Sequence, residues 1–303
     1  MLQPRLESVI CPHPDGQHRM AWWSWGDVSA SHVVVCAHGL TRQGRDFDRL
    51  ARALVERHQG HIHIVCPDVA GRGHSDWLPQ PALYQLPQYV ADMLVMLGQL
   101  HQHAPIRSLD WIGTSMGGLM GMALAGQPQL PLPVPIRRLV LNDVGPSITW
   151  TSVQRMQQYV GRYGQFAHLS EAAAEMRRLS YGFGPVPEEI WLELSSHMVR
   201  QLPEGGLTLH YDPAIGEPIR ALTAEAAQAA EAVVWHLYDQ IRAQVLLIRG
   251  LESDLLTEAT AHEMTQRGPQ ARLVQWSGVG HAPTLTDPAH IEVVADFLLA
   301  ASA

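Results

Sequence analysis

Leu109-Asp110-Trp111-Ile112-Gly113-Thr114-Ser115-Met116-Gly117-Gly118 is the stretch on which the reading of this chain turns. Leu109 to Ile112 reads as a strand, and Met116 to Ala125 reads as a helix. The five residues Gly113 to Gly117 between them fit G-x-S-x-G. A serine at so sharp a strand-to-helix turn is held in a strained backbone conformation, and only small neighbours avoid collision with it. Gly118 extends the small-residue patch. The serine oxygen then projects from the C-terminal edge of a sheet, above a helix N-terminus that favours negative charge. A serine alone is a poor nucleophile near neutral pH, so the chain must also supply a base.

On either side of this turn, strands and helices alternate. Glu7 to Ile10 and Met20 to Trp25 read as a hairpin with Asp15-Gly16 in its turn. Val33 to Ala37 is a continuous apolar run of the kind found in a strand buried on both faces. Phe47, Leu50, Ala51, Leu54 and Val55 have the spacing of an amphipathic helix. Ile62 to Cys66 is a second buried strand, closed by Pro67. A helix over Val90 to Leu100 follows, and Leu139 to Leu141 is a strand after the serine helix. The rhythm predicts an α/β fold, a mostly parallel sheet with helices on both faces.

After Pro146 the rhythm stops. No strand is expected from Ser147 to about Gln240, and Ala172 to Leu179 and Ala221 to Leu237 are the clearest helices there. The β pattern resumes at Val245 to Ile248 and continues at Arg272 to Trp276. A final helix is capped by Asp287-Pro288 and buries Ile291, Val294, Phe297 and Leu298. The expected organisation is a core of residues 1–146 and 241–303, with a helical cap over 147–240 inserted after the sixth strand. That cap segment holds Trp150, Tyr159, Tyr163, Phe166, Tyr181, Phe183, Trp191, Tyr211, Trp235 and Tyr238. An aromatic-rich roof suits an organic acyl or alcohol group, although most of these rings are expected to hold the cap's own helices together.

Composition removes other classes. With 46% hydrophobic and 17% charged residues, the 303-residue chain is a globular protein with length enough for a large core. No apolar run is long enough to span a bilayer, and Met1 to Ile10 lacks the pattern of a secretory signal. A formal net charge of −8 without basic clusters disfavours nucleic acid as a partner. Three cysteines, Cys11, Cys36 and Cys66, without paired spacing argue against a disulfide framework and a structural zinc site, and a reducing cytoplasm fits them. His61 with His63, and His101 with His103, lack a third ligand at metal-site spacing. Gly71-Arg72-Gly73 lacks the third glycine and following helix of a dinucleotide loop.

With these features in place, the chain resembles the α/β-hydrolase superfamily, in its capped, esterase-like serine hydrolase branch, over nearly its whole length. The resemblance implies nucleophile, acid and histidine in that order on loops after successive strands. Here they fall on Ser115, on Asp254 in Gly250-Leu251-Glu252-Ser253-Asp254, and on His281 in Gly278-Val279-Gly280-His281. Asp143 in Asn142-Asp143-Val144-Gly145-Pro146 also follows a strand, where some relatives place the acid, and Glu252 is a third candidate. Asp254 is preferred, with Asp143 capping or bridging the start of the cap. His38-Gly39 matches the oxyanion loop, so the backbone N–H groups of Leu40 and Met116 are the expected oxyanion donors. Asp68 to Ser75 resembles the tight turn after the next strand.

Arg42 and Arg45, just beyond the oxyanion loop, are possible contacts for a substrate carboxylate, against the alternative that they pair with Asp46 or Asp48. The implied activity is hydrolysis of a small carboxylic ester through an acyl-enzyme, without metal or organic cofactor. Relatives that act on haloalkanes or epoxides carry aspartate in place of the serine. Carbon–carbon hydrolases of aromatic-ring degradation keep the triad but commonly have Asn before the nucleophile and Trp after the histidine, where this chain has Thr114 and Ala282. A ligand sensor with very slow turnover is the alternative outside the enzymes.

Overall fold

The computed structural model describes residues 3–162 and 164–300. In chain order the elements before residue 147 are β1 (Arg5–His13), β2 (Gly16–Gly26), β3 (His32–Ala37), α1 (Asp48–Arg57), β4 (His63–Asp68), α2 (Leu86–His103), β5 (Ser108–Thr114), α3 (Met116–Ala125) and β6 (Ile136–Asn142). Then come α4 (Trp150–Tyr159), α5 (Leu169–Leu179), α6 (Glu188–His197), β7 (Val199–Gln201), β8 (Leu207–Leu209), α7 (Gly216–Ala221) and α8 (Ala224–Gln240). The chain closes with β9 (Gln244–Gly250), α9 (Glu258–Met264), β10 (Arg272–Trp276) and α10 (Pro288–Leu299).

Eight strands form one sheet in the order β1-β2-β4-β3-β5-β6-β9-β10. The first two pairings, β1 with β2 and β2 with β4, are antiparallel, and the others are parallel. Alternation along β3 shows why its apolar run is unbroken. Val33 and Val35 enter the core under α2 and α3, while Val34 and Cys36 enter the core under α1 and α10. Trp111 and Ile112 on β5 divide in the same way. At the C-terminal end, Asp287 caps α10 by accepting the Ala289 N–H at 2.8 Å, and Pro288 occupies its first turn.

Three details depart from the sequence reading. β4 continues through Pro67 to Asp68, because its ladder with β3 ends at Val65 and the proline lies beyond it, paired across β2 with Trp22. The segment between β6 and β9 is not purely helical: β7 and β8 form a short antiparallel hairpin, Val199 opposite Leu209. The expected helix from Ala221 is also broken, with α7 ending there and Thr223 capping α8 by accepting the Ala226 N–H at 3.2 Å. Tyr163 lies outside the described residues.

Candidate active site

The ends of β5, β6 and β9 lie side by side in the sheet, so the loops leaving them meet at one edge. Ser115 follows β5 with φ 51° and ψ −116°, outside the backbone range that a side chain ordinarily adopts. The turn closes only because its neighbours are small. A Cβ on Gly117 would stand 2.0 Å from the carbonyl oxygen of Ala37 on β3. The Ser115 N–H donates to the Asn142 carbonyl at 3.1 Å. The Asn142 side chain donates to Thr114 Oγ1 at 3.0 Å and to the Pro283 carbonyl at 2.8 Å, tying the serine turn to the histidine loop.

His281 stands between the serine and a carboxylate. Its Nε2 is 2.9 Å from Ser115 Oγ, and its Nδ1 is 2.8 Å from Asp143 Oδ2. A carboxylate on Nδ1 keeps the proton on that nitrogen, so Nε2 accepts from the serine hydroxyl. This corrects the expectation of Asp254 as the partner of His281. Asp143 is fully buried directly after β6, the strand next to β5. The loop after β9 supplies donors to it: the Gly250 N–H donates to Asp143 Oδ1 at 2.8 Å, and the Ser253 hydroxyl to Oδ2 at 2.6 Å. With Ser253 turned inward, the adjacent Asp254 faces outward and receives Arg155 Nε and Nη2 at 2.9 and 3.1 Å. Glu252 accepts the Gly278 N–H at 3.0 Å and is exposed.

The expected oxyanion loop lies against the serine: Gly39 and Leu40 line the same pocket as Ser115 and His281. His38 fixes this loop. Its Nε2 accepts the Val69 N–H at 3.0 Å, which leaves Nδ1–H to donate to the Gly39 carbonyl at 2.7 Å. The Gly39 carbonyl and the Leu40 N–H belong to one trans peptide and point in opposite directions. Anchoring the carbonyl therefore aims the N–H away from His38. Complete burial, only partly opposed by the bond to Gly39, depresses the imidazole to a pKa of about 3, so it stays neutral. Arg72, also fully buried, donates from Nε to the Leu40 carbonyl at 2.9 Å. Met116 opens α3, so its N–H is one that a helix leaves without an internal acceptor.

Arg42 and Arg45 follow the paired alternative. Arg42 donates from Nε and Nη2 to Asp46 at 2.6 Å each. Arg45 donates to Asp48 at 2.8 and 2.6 Å and lies over the Trp23 ring. Arg42 still lines the pocket at Ser115. Of the described aromatics between β6 and β9, Tyr159, Phe183 and Tyr211 line that pocket. Trp191 and Tyr238 instead donate to backbone carbonyls of Ala173 and Met264 and hold helices in place. The segment between β6 and β9 touches the histidine loop directly, the Gly280 N–H donating to the Gly182 carbonyl at 2.7 Å.

Sequence reasoning overlooked His38 as an anchor, Ser253 as a donor and Arg155 as a pocket residue, while Tyr159, one of the aromatics expected in the roof, does line the pocket. Only His38 had a local signal, its place beside Gly39. Spacing along the chain also missed Cys11, His18 and Asp92, which two strands and α2 bring together with their ligand-type atoms within 4.8 Å of one another. His18 Nε2 and Asp92 Oδ2 are 3.0 Å apart, and Gln88 donates to the other carboxylate oxygen at 2.7 Å. Burial, with Asp92 beside it, pushes the Cys11 thiol far up, so it is a protonated donor rather than a thiolate ligand.

A serine on this turn, at the C-terminal edge of a mostly parallel sheet and beside an imidazole, is the architecture of the α/β hydrolases. The sequence model of the Alpha/beta hydrolase family matches residues 34–295, and the chain belongs to that family. It is 44% identical to a 3-hydroxybutyrate-oligomer hydrolase of Cupriavidus necator over 98% of this chain and 99% of that protein. Its fold is similar to that of an alpha/beta hydrolase from Novosphingobium aromaticivorans, with TM-score 0.81 and 32% identity, covering 98% of this chain and 99% of that one. A crystal structure from Rickettsia typhi is similar at TM-score 0.85 and 26% identity, over 99% and 100% of the two chains. The chain is an enzyme, a carboxylic-ester hydrolase. No helix among the described residues is long and apolar enough to cross a membrane.

Proposed function

We propose that this enzyme hydrolyses short oligomers of 3-hydroxybutyrate, with Ser115 as nucleophile, His281 as general base and acid, and Asp143 as the carboxylate that orients the imidazole. The observation that carries the mechanism is the unbroken pair of hydrogen bonds from Asp143 through His281 to Ser115, at 2.8 and 2.9 Å. The substrate class is supported by the full-length likeness to the Cupriavidus necator hydrolase.

In this reading Ser115 Oγ attacks the ester carbonyl as His281 Nε2 takes its proton. The imidazolium is stabilised by buried Asp143 and returns the proton to the departing 3-hydroxyl oxygen. Water, activated by the same nitrogen, then releases the acyl group. The oxyanion is received by the N–H groups of Met116 and Leu40, each typically worth about 3–4 kcal/mol of transition-state stabilisation. Residues 147–240 act as the cap that shapes the acyl and alcohol pockets, with Tyr159, Phe183 and Tyr211 as its contribution to their walls. A cytoplasmic location is in keeping with Cys11, Cys36 and Cys66, all buried and unpaired.

The test offers the dimer and trimer of (R)-3-hydroxybutyrate and, separately, 4-nitrophenyl butyrate to the wild type and to Ser115→Ala. Release of monomer by the wild type and loss of all turnover and of fluorophosphonate labelling in Ser115→Ala are expected. Turnover of the nitrophenyl ester with no cleavage of either oligomer removes the oligomer reading and leaves the mechanism standing. Labelling that persists in Ser115→Ala removes the mechanism.

A further inference from the structure

Arg155 and Tyr159 sit four residues apart on α4, and both line the pocket that contains Ser115. Neither is used by the proposed relay. Arg155 spends Nε and one N–H of Nη2 on Asp254. A guanidinium has five N–H donors, and among the described residues the hydrogen bonds to Asp254 take two of them. Tyr159 lies near enough to the same guanidinium to feel its charge, and the Tyr181 ring lies beneath that guanidinium at 5.6 Å. Burial pushes the Tyr159 phenol above its ordinary value, so it is a neutral donor near pH 7. Much of the remaining wall is apolar, with Met156, Met176, Leu179, Phe183 and Leu209.

Asp254 and the start of α4 are joined twice. The Thr149 hydroxyl, at the N-cap of α4, donates to the Asp254 carbonyl at 2.7 Å, and Arg155, nearly two turns later, holds the Asp254 carboxylate. The loop after β9 thereby sets where the guanidinium points.

We infer that Arg155 and Tyr159 form a carboxylate subsite that holds the free acid end of the substrate while its ester lies at Ser115. This rests on the oligomer reading above, because every free 3-hydroxybutyrate oligomer ends in a carboxylate. A planar guanidinium with a phenol beside it offers parallel donors to the two oxygens of a carboxylate, and an apolar wall strengthens that recognition. An ester whose acid end is masked lacks the charge the subsite reads. Asp254 is a positioning residue for Arg155 and has no part in the proton relay.

The experiment compares the 3-hydroxybutyrate dimer as free acid with its methyl ester, using kcat/KM for the wild type, Arg155→Gln, Arg155→Lys and Tyr159→Phe. The wild type is expected to prefer the free acid. Arg155→Gln is expected to lower the acid-to-methyl-ester ratio about 10- to 100-fold, the value of a charge-assisted hydrogen bond, chiefly through KM. Arg155→Lys keeps the charge and retains part of the preference, and Tyr159→Phe loses a smaller share. Equal loss on both esters in Arg155→Gln means that the residue only ties α4 to the core, and it overturns the proposal. A wild type indifferent to the acid end overturns it as well. If neither dimer form is cleaved, the oligomer reading fails separately. The two forms are then compared as inhibitors of 4-nitrophenyl butyrate turnover, where equal inhibition overturns the subsite and stronger inhibition by the free acid upholds it.

Discussion

The loops that leave β6 and β9 lie next to each other, and each carries an aspartate within a few residues of its strand. Asp143 is fully buried and accepts from a backbone N–H, a hydroxyl and an imidazole. Asp254 has a side chain 38% exposed and meets a single arginine. Burying a carboxylate is costly unless donors replace its water, and three donors converge on Asp143. At Asp254 solvent does much of that work, and an ion pair so exposed is worth little. In the mechanism proposed above, the residue that resembles a catalytic acid by its place in the chain is therefore a tether, and the relay falls to the aspartate directly after β6.

The largest expected effect separates the two directly. Asp143→Asn keeps the size but presents a donor to His281 Nδ1, which favours the wrong tautomer, and kcat should fall by about 10⁴ as in a comparable serine-protease change. Thermal unfolding of the same variant checks that the fold survives. A near-normal kcat in Asp143→Asn, with collapse in Asp254→Asn, would return the acid to β9.

Acid supplies the next perturbation, because buried and exposed anchors respond differently to it. His38 has a folded pKa of about 3 against about 6.5 in the unfolded chain. Its folded value is depressed for a base, so the unfolded chain takes up the proton first and stability falls as pH drops below about 6.5. Between pH 7 and pH 5 this one residue should cost about 2 kcal/mol. His63 and His210, each held near 4 chiefly by burial, act in the same direction. Asp68, raised to about 6 chiefly by burial, acts in the opposite one, gaining stability as it protonates. Denaturant unfolding of the wild type and His38→Asn at the two pH values isolates the His38 share; identical pH dependence in the two proteins would refute it.

A smaller loss is expected from Ser253→Ala, which removes one donor from Asp143 and leaves the Gly250 N–H in place. About a tenfold drop in kcat, with little change in KM for 4-nitrophenyl butyrate, matches one hydrogen bond to a charged group. An unchanged kcat would mean that the loop after β9 does not support the acid. The smallest effect belongs to Asp254→Asn, no more than about fivefold in kcat for that ester, as befits an exposed ion pair.

Much of this was legible in the sequence, and the limits have physical causes. The serine turn and the histidine loop are local patterns, written in glycines within a few residues of the side chain they present. The bounds of α3 and the Asp287-Pro288 cap were readable for the same reason. The choice between Asp143 and Asp254 was not, because it depends on which way the loop after β9 turns two neighbouring residues, Ser253 and Asp254. The β7–β8 hairpin escaped because strands of three residues show no periodicity, even with Gly205-Gly206 between them. Arg155 looks like an ordinary helix residue until α4 is set down over Ser115.

The backbone at Ser115 also bears on the history of such a protein. A non-glycine residue at φ 51° and ψ −116° costs on the order of 1–3 kcal/mol, a sizeable part of the roughly 5–15 kcal/mol that keeps a domain folded. Glycine adopts that conformation freely and would relieve the cost at the loss of the hydroxyl. A lineage released from the need to cleave its substrate would be drawn by stability alone toward glycine at this position. If Ser115 is the nucleophile proposed above, the strain at this position is the cost of holding it there.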